Sequence, residues 1–173
     1  MTTSLYNVTI PVFIKGLENM AIFFDKTLIH AENKKFDVNT LLTSRLSPDQ
    51  FPFAKQIQLA SDAAKAFPAR LKGEDPVSMP DTETTIEELR ERLLKTVAVL
   101  KEIKPEDIDG NEDTQVRIKW FPGKYITGFS YATEYALPNF FFHMTTAYAI
   151  LRHNGVDLGK SDYLGALSLE DDA

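Results

Sequence analysis

The stretch LPNFFFHMTTAYAILRHNG, from Leu137 to Gly155, decides how the chain folds. Proline suits the first position of a helix and glycine the position just past its end, so the spacing predicts a helix that begins near Leu137-Pro138 and ends at Asn154-Gly155. At about 100° per residue, Asn139, Thr146, Ala147 and Ile150 share an arc with His143, and Arg152 lies opposite. His143 should therefore face the interior. Phe140 falls near that arc, Phe141 nearly opposite it and Phe142 to the side, so the first turn is apolar all round and must meet protein on every side. The candidates are a neighbouring ribbon, the C-terminal tail or a second copy of the chain. Of these the sequence favours a two-fold homodimer through a patch containing Phe141 and Tyr148.

Working outward, Phe13, Leu17, Met20, Phe24 and Leu28 recur at intervals of three or four and predict a first helix from about Leu5 to Ala31, with Pro11 able to kink its start. A second stripe, Phe53, Ile57, Ala60, Ala64, Phe67 and Leu71, follows Ser47-Pro48-Asp49, with Pro48 or Pro52 tolerable only near its start, and ends at Gly73. Gly73 to Asp81 has two prolines and no periodicity, which reads as a long connection. Thr85 precedes Glu88 by three, the pattern of a capping box, and Leu89, Leu93, Val97 and Leu100 form the buried stripe of a third helix to about Ile103. Its Glu and Arg residues read as a solvated face.

From Thr114 to Phe129 the pattern changes. Val116, Ile118 and Trp120 alternate with Arg117 and Lys119, and Phe121-Pro122-Gly123-Lys124 suggests a turn, so a short β-ribbon is expected between helices 3 and 4. The tail from Val156 holds Tyr163, Leu164 and Leu167 and is expected to pack back across the helices. The whole reads as one all-α domain over residues 1–173, a four-helix bundle with a small β-ribbon.

Composition supports an ordinary core, with 43% hydrophobic and 25% charged residues. There is no cysteine, which removes disulfides, thiolate metal sites and a thiol nucleophile together and suits a reducing, cytoplasmic setting. The N-terminus has no secretory pattern and no run approaches the roughly 20 apolar residues of a membrane span, so no membrane partner is expected. A net charge of −6, with both signs interspersed, disfavours nucleic acid, whose phosphates call for a cationic surface.

Imidazole chemistry can use only His30, His143 and His153. His30 and His153 fall at the C-terminal ends of helices, where a partly protonated ring complements the helix dipole. His143 has two readings: a core histidine satisfied by a carbonyl, carboxylate or water, or a ligand-site group. No His-x-x-x-His, His-Glu-x-x-His or Glu-x-x-His spacing occurs, and no nucleophile elbow, phosphate loop or dinucleotide fingerprint. Neither a metal nor another cofactor is expected.

The residues Pro138-Asn139-Phe140-Phe141-Phe142-His143, Ile150-Leu151-Arg152-His153-Asn154-Gly155 and Gly159-Lys160, together with Leu41-Leu42, Arg45-Leu46, Pro48-Asp49, Phe51-Pro52, Gln58 and Asp62, resemble a domain-of-unknown-function family found mostly in bacteria and fungi. That family belongs with the DinB/YfiT-like metalloenzyme superfamily. The resemblance implies its fold and a dimer. Metal-binding members of that superfamily take one histidine from the second helix and two, four apart, from the last. Here the last-helix pair falls on Asn139 and His143, and the second helix offers Gln56, Gln58 and Asp62 but no histidine, so one imidazole remains of three. An amide oxygen replaces imidazole poorly on zinc or nickel.

The leading expectation is a small-molecule-binding or cofactor-independent catalytic bundle with its site between helices 2 and 4. His143 would be the acid, base or hydrogen-bond donor, Asn139, Gln58 and Asp62 would orient the ligand, and Trp120 or Tyr125 would cover it. The alternatives are a non-catalytic oligomeric accessory protein and a divalent-metal-dependent DinB-like transferase.

Overall fold

The computed structural model describes residues 4–172. Four long helices, α1 (Ile10–Lys34), α2 (Phe53–Leu71), α3 (Ile86–Lys101) and α4 (Leu137–His153), contribute to one apolar core. α2 packs against both α3 and α4, and α1 closes the far side against α3 and α4. Every residue of the predicted stripes on α2 and α3 is buried, as are Phe13, Leu17, Met20 and Phe24 of α1.

α1 starts later than the apolar pattern predicts. Residues Leu5 to Thr9 form turns, and Thr9 returns its hydroxyl to the Leu5 carbonyl at 2.6 Å. Pro11 then lies in the first helical turn, where its missing N–H has no intrahelical partner to lose, so no kink results. Gly16 marks the closest approach of α1 to α4: a Cβ there would stand 2.5 Å from the Phe140 ring.

α3 begins as its sequence specifies. The Thr85 hydroxyl accepts from the Glu88 N–H and the Glu88 carboxylate accepts from the Thr85 N–H, each at 3.1 Å. Its polar face departs from expectation, because Arg92 is 2% exposed. The connection between α2 and α3 folds over it and supplies acceptors, as described below.

The expected ribbon is present but short. β1 (Gln115–Val116) pairs antiparallel with β2 (Ile126–Thr127). A turn follows immediately, with the Phe121 N–H donating to the Ile118 carbonyl at 2.9 Å, so the alternation that buries Val116 and Ile118 leaves Trp120 outside, 66% exposed. Gly123 takes φ 74°, the left-handed value that a Pro-Gly type II turn needs at its third residue.

α4 continues a helix already under way. A short turn (Gly128–Ser130) and a π-helical stretch (Tyr131–Ala136) run into it without a break, and Ala136 itself is helical at φ −65°, ψ −52°. The Leu137 N–H closes a π-type bond to the Ala132 carbonyl, and Pro138, which has no N–H, follows it inside the rod. At the other end Gly155 has φ 86°, and the Val156 N–H reaches back to the Leu151 carbonyl at 3.1 Å, closing the helix as a Schellman turn.

Of the tail expected to pack back, the segment around Tyr163 does so, whereas Leu164 and Leu167 stay exposed. α5 (Lys160–Leu164) lies on α1, held by Asn19 Nδ2 donating to the Tyr163 carbonyl at 2.9 Å and by a Lys26–Asp162 ion pair at 2.7 Å. Tyr163 stacks on Phe23 and meets Tyr148 edge-on at 5.8 Å between centroids. Tyr148 is thus covered within the chain, whereas Phe141 and Phe142 remain 37% and 56% exposed. Among the described residues no helix is long and apolar enough to cross a membrane.

Candidate functional site

His143 is 8% exposed and sits where α4 meets α2. Its Nδ1 lies 2.7 Å from Gln56 Oε1, and Gln56 Nε2 donates to the Phe51 carbonyl at 2.9 Å. The second bond fixes the first: a carbonyl can only accept, so the amide nitrogen of Gln56 must face Phe51 and its oxygen must face the imidazole. His143 therefore carries its proton on Nδ1. Burial, with the positive charge of Lys55 behind it, pushes the imidazole down to about 4, so the ring is neutral at pH 7. Nε2 has no protein hydrogen-bond partner among the described residues, yet it is not among the buried atoms left unpartnered, so its lone pair is open to solvent or a ligand. Of the roles expected for His143, this tautomer suits the base or acceptor; an acid or donor would need its proton on Nε2.

The ring borders a cavity of about 320 Å³. One wall is a single helical face: Tyr131, Tyr135, Asn139 and His143 follow at intervals of four across the π-stretch and into α4. α2 supplies Asp62 and Arg70 to the opposite wall, and Phe51 and Trp120 stand at the rim, 57% and 66% exposed. Arg70 donates to the Tyr131 hydroxyl at 3.1 Å. Burial raises the Tyr131 phenol against the pull of Arg70, so it stays protonated.

The structure brings together His143, Asn139, Asp62 and Trp120 of the residues expected at the site. Gln58 and Tyr125 lie elsewhere. Residues two apart on a helix differ by about 200°, so Gln56 and Gln58 cannot both face α4; Gln58 turns toward the α2–α3 connection, where its Nε2 donates to Glu83 at 2.9 Å. Tyr125 lines a separate cavity of about 240 Å³ with Ile126 and Glu134, sharing only Tyr135 with the His143 cavity. The sequence expectation missed the polar and aromatic lining residues Arg70, Tyr131, Tyr135 and Phe51, and the small apolar ones Leu59, Ala63 and Ala136. The two tyrosines run back from Asn139 at intervals of four, a spacing that a helix starting at Pro138 leaves out.

The donor set around His143 does not fit a transition metal. Among the described residues no three His, Asp or Glu side chains converge as ligands. Gln56 Oε1 is committed to the imidazole proton, and Asp62 is held by Arg92 at 2.8 Å and Lys65 at 3.0 Å. One neutral imidazole and an amide from Asn139 are left, short of the three protein ligands of a catalytic zinc site.

The sequence matches a family model described as a domain of unknown function, DUF1993, over residues 5–164. The chain belongs to the DUF1993 family. Its fold is shared by a DinB family member protein from Shewanella denitrificans, whose crystal structure superposes with a TM-score of 0.93 at 44% identity, covering 97% of this chain and 96% of that one. Among curated proteins none matches the chain. DUF1993 thus stands within the DinB-like superfamily, and the mainly helical fold with its small ribbon is DinB-like.

Proposed function

We propose that this DUF1993 protein binds a small organic molecule in the His143 cavity and, where it catalyses, does so without a metal, through His143 Nε2 as base or acceptor. The observation that carries this reading is the free lone pair of a buried, neutral imidazole whose other nitrogen is tied to Gln56. A histidine kept only for packing has no need to border a cavity while one ring nitrogen lacks a protein partner. With a conjugate-acid pKa of about 4, the ring is a weak base at neutral pH, best suited to orienting an O–H or N–H group or to removing an already acidic proton.

The test is fluorescence of Trp120, the chain's single tryptophan, and NMR of the His143 ring during titration with a metabolite panel. Binding should perturb both signals, and His143→Ala should weaken it at least about tenfold, the loss of one buried hydrogen bond to the ligand. No response to any compound in the wild type would sink the reading.

We also infer that the chain pairs with itself in the cytoplasm through the surface carrying Phe141 and Phe142. Their exposure beside the covered Tyr148 supports that side of α4 as the interface. Sedimentation should give a dimer at micromolar concentration that Phe142→Glu dissociates; a monomeric wild type refutes it.

A further inference from the structure

Arg70 borders the His143 cavity and also a neighbouring cleft of about 600 Å³, and Trp120 does the same, so the two spaces share a wall. The second cleft adds Arg117 and Lys119, which follow β1, and Glu74 and Asp75, which follow α2. Among the described residues none of these three cations has a carboxylate within ion-pair distance, whereas Arg92 on the other side of α2 has three. Arg70 is half-buried, and a single hydrogen bond, to the Tyr131 hydroxyl, occupies one of its five N–H donors. A planar fork with free donors beside a cavity matches an oxyanion held through two parallel bonds.

We propose that Arg70 anchors the carboxylate of a small organic acid, with the acid's apolar body lying against Trp120 and Tyr135 and its far end reaching His143. This rests on the His143 cavity being a ligand site. Three cations and two carboxylates line the cleft, and the surplus of one positive charge suits a monoanion better than a phosphate ester. Tyr131, neutral and already accepting from Arg70, holds the guanidinium plane at the cavity edge.

Trp120 fluorescence, excited at its red edge, reports binding of two matched probe pairs: benzoate with benzamide, and phenylacetate with phenylacetamide. Each pair differs in charge and little in shape. In the wild type the acids should bind at least about tenfold more tightly than their amides, the discrimination expected of one charge-assisted bidentate contact. Arg70→Gln should reduce that ratio to about twofold or less. Arg70→Lys, which keeps the charge and loses the fork, should fall between, and it decides the matter if Arg70→Gln does not fold. Equal binding of acid and amide in the wild type would leave the cavity reading standing and overturn the role of Arg70. So would a folded Arg70→Gln or Arg70→Lys protein with undiminished preference. Displacement of benzoate by inorganic phosphate at equal concentration would overturn the choice of a carboxylate. No response to either member of either pair would count against the cavity and the anchor together.

Discussion

α2 meets polar groups on two faces, toward α3 and toward α4, and they are treated oppositely. Toward α3, Arg92 lies 2% exposed among acceptors: Glu83 and Asp62 at 2.8 Å, Asp81 at 3.0 Å, the Pro80 carbonyl at 3.2 Å and Ser61 at 3.3 Å. Ser61 and Thr96 share a hydrogen bond at 2.7 Å, and Gln58 completes Glu83. Burial alone would raise the Glu83 carboxyl, but Arg92, the backbone and Gln58 outweigh it and hold it below its usual range. Toward α4, His143 and Arg70 each keep hydrogen-bonding capacity that the protein does not use. A saturated network is architecture: it clamps the α2–α3 connection to the helices. Capacity left open beside a cavity is where a ligand would be recognised, and the contrast between the two faces is open to attack by mutation.

The largest effect should come from the saturated face. Arg92→Ala leaves Glu83, 11% exposed, without its counter-charge, and should cost about 3 kcal/mol, the low end for breaking a buried pair because Asp62 and Asp81 can still reach water. Urea denaturation measures it. A cost under about 1 kcal/mol would mean that the network holds nothing together.

The next effect is a pH dependence from the open face. His143 has a folded pKa near 4 against about 6.5 in the unfolded chain, so between those values the unfolded state binds more protons. The stability is complete above about pH 6.5 and is lost as the pH falls toward 4, by at most about 3 kcal/mol. His143→Asn should flatten the part of the stability curve in that window. Glu83, held below its usual range by Arg92, contributes lower down, as the pH falls through the ordinary carboxylate range and below it, so the two faces are separable by titration. An unchanged slope in the variant would remove the evidence that the ring is buried neutral.

Smaller again is Gln56→Leu, which strands the Nδ1–H of His143 and the Phe51 carbonyl. About 1 to 2 kcal/mol should be lost. The more telling readout is NMR of the ring nitrogens: with Gln56 gone the proton is free to move to Nε2. A tautomer unchanged in the variant would mean that some other group sets it.

How much of this the sequence disclosed depends on the range of the interaction. The Thr85–Glu88 cap and the Gly155 stop are encoded within a few residues, and both form as read. His143 inside and Asn139 beside it follow from one helical wheel. Gln56 against Gln58 is a different kind of question: the wheel shows that only one can face α4, and the rotation of α2 about its axis, set by packing, selects which. Arg92 reads as solvated because its acceptors arrive from a connection without periodicity. Tyr131 and Tyr135 lie on a π-stretch whose wider turn a period of 3.6 does not detect, and Arg70 joins the site only once α2 and that stretch are side by side.

The smallest stability effect should come from Arg70→Gln, and it is the sharpest control on the comparison. Both Arg70 and Arg92 project from long helices or their ends into polar surroundings, and by charge alone their removal should be equivalent. Their partners make them different. Arg70 gives up one hydrogen bond, to a neutral phenol, and no ion pair; the glutamine amide can still donate toward the Tyr131 oxygen. A neutral hydrogen bond is worth about 0.5 to 1.5 kcal/mol net, so partial replacement leaves a cost below about 1 kcal/mol, several times smaller than for Arg92→Ala. Melting both variants beside the wild type checks it. If Arg70→Gln costs as much as Arg92→Ala, Arg70 holds the fold, its free donors are incidental, and the α4 face of α2 is as structural as the α3 face. If the cost is small, the cell keeps a half-buried, unpaired guanidinium at a cavity edge for little return in stability, which is the pattern expected of a group retained for what it binds.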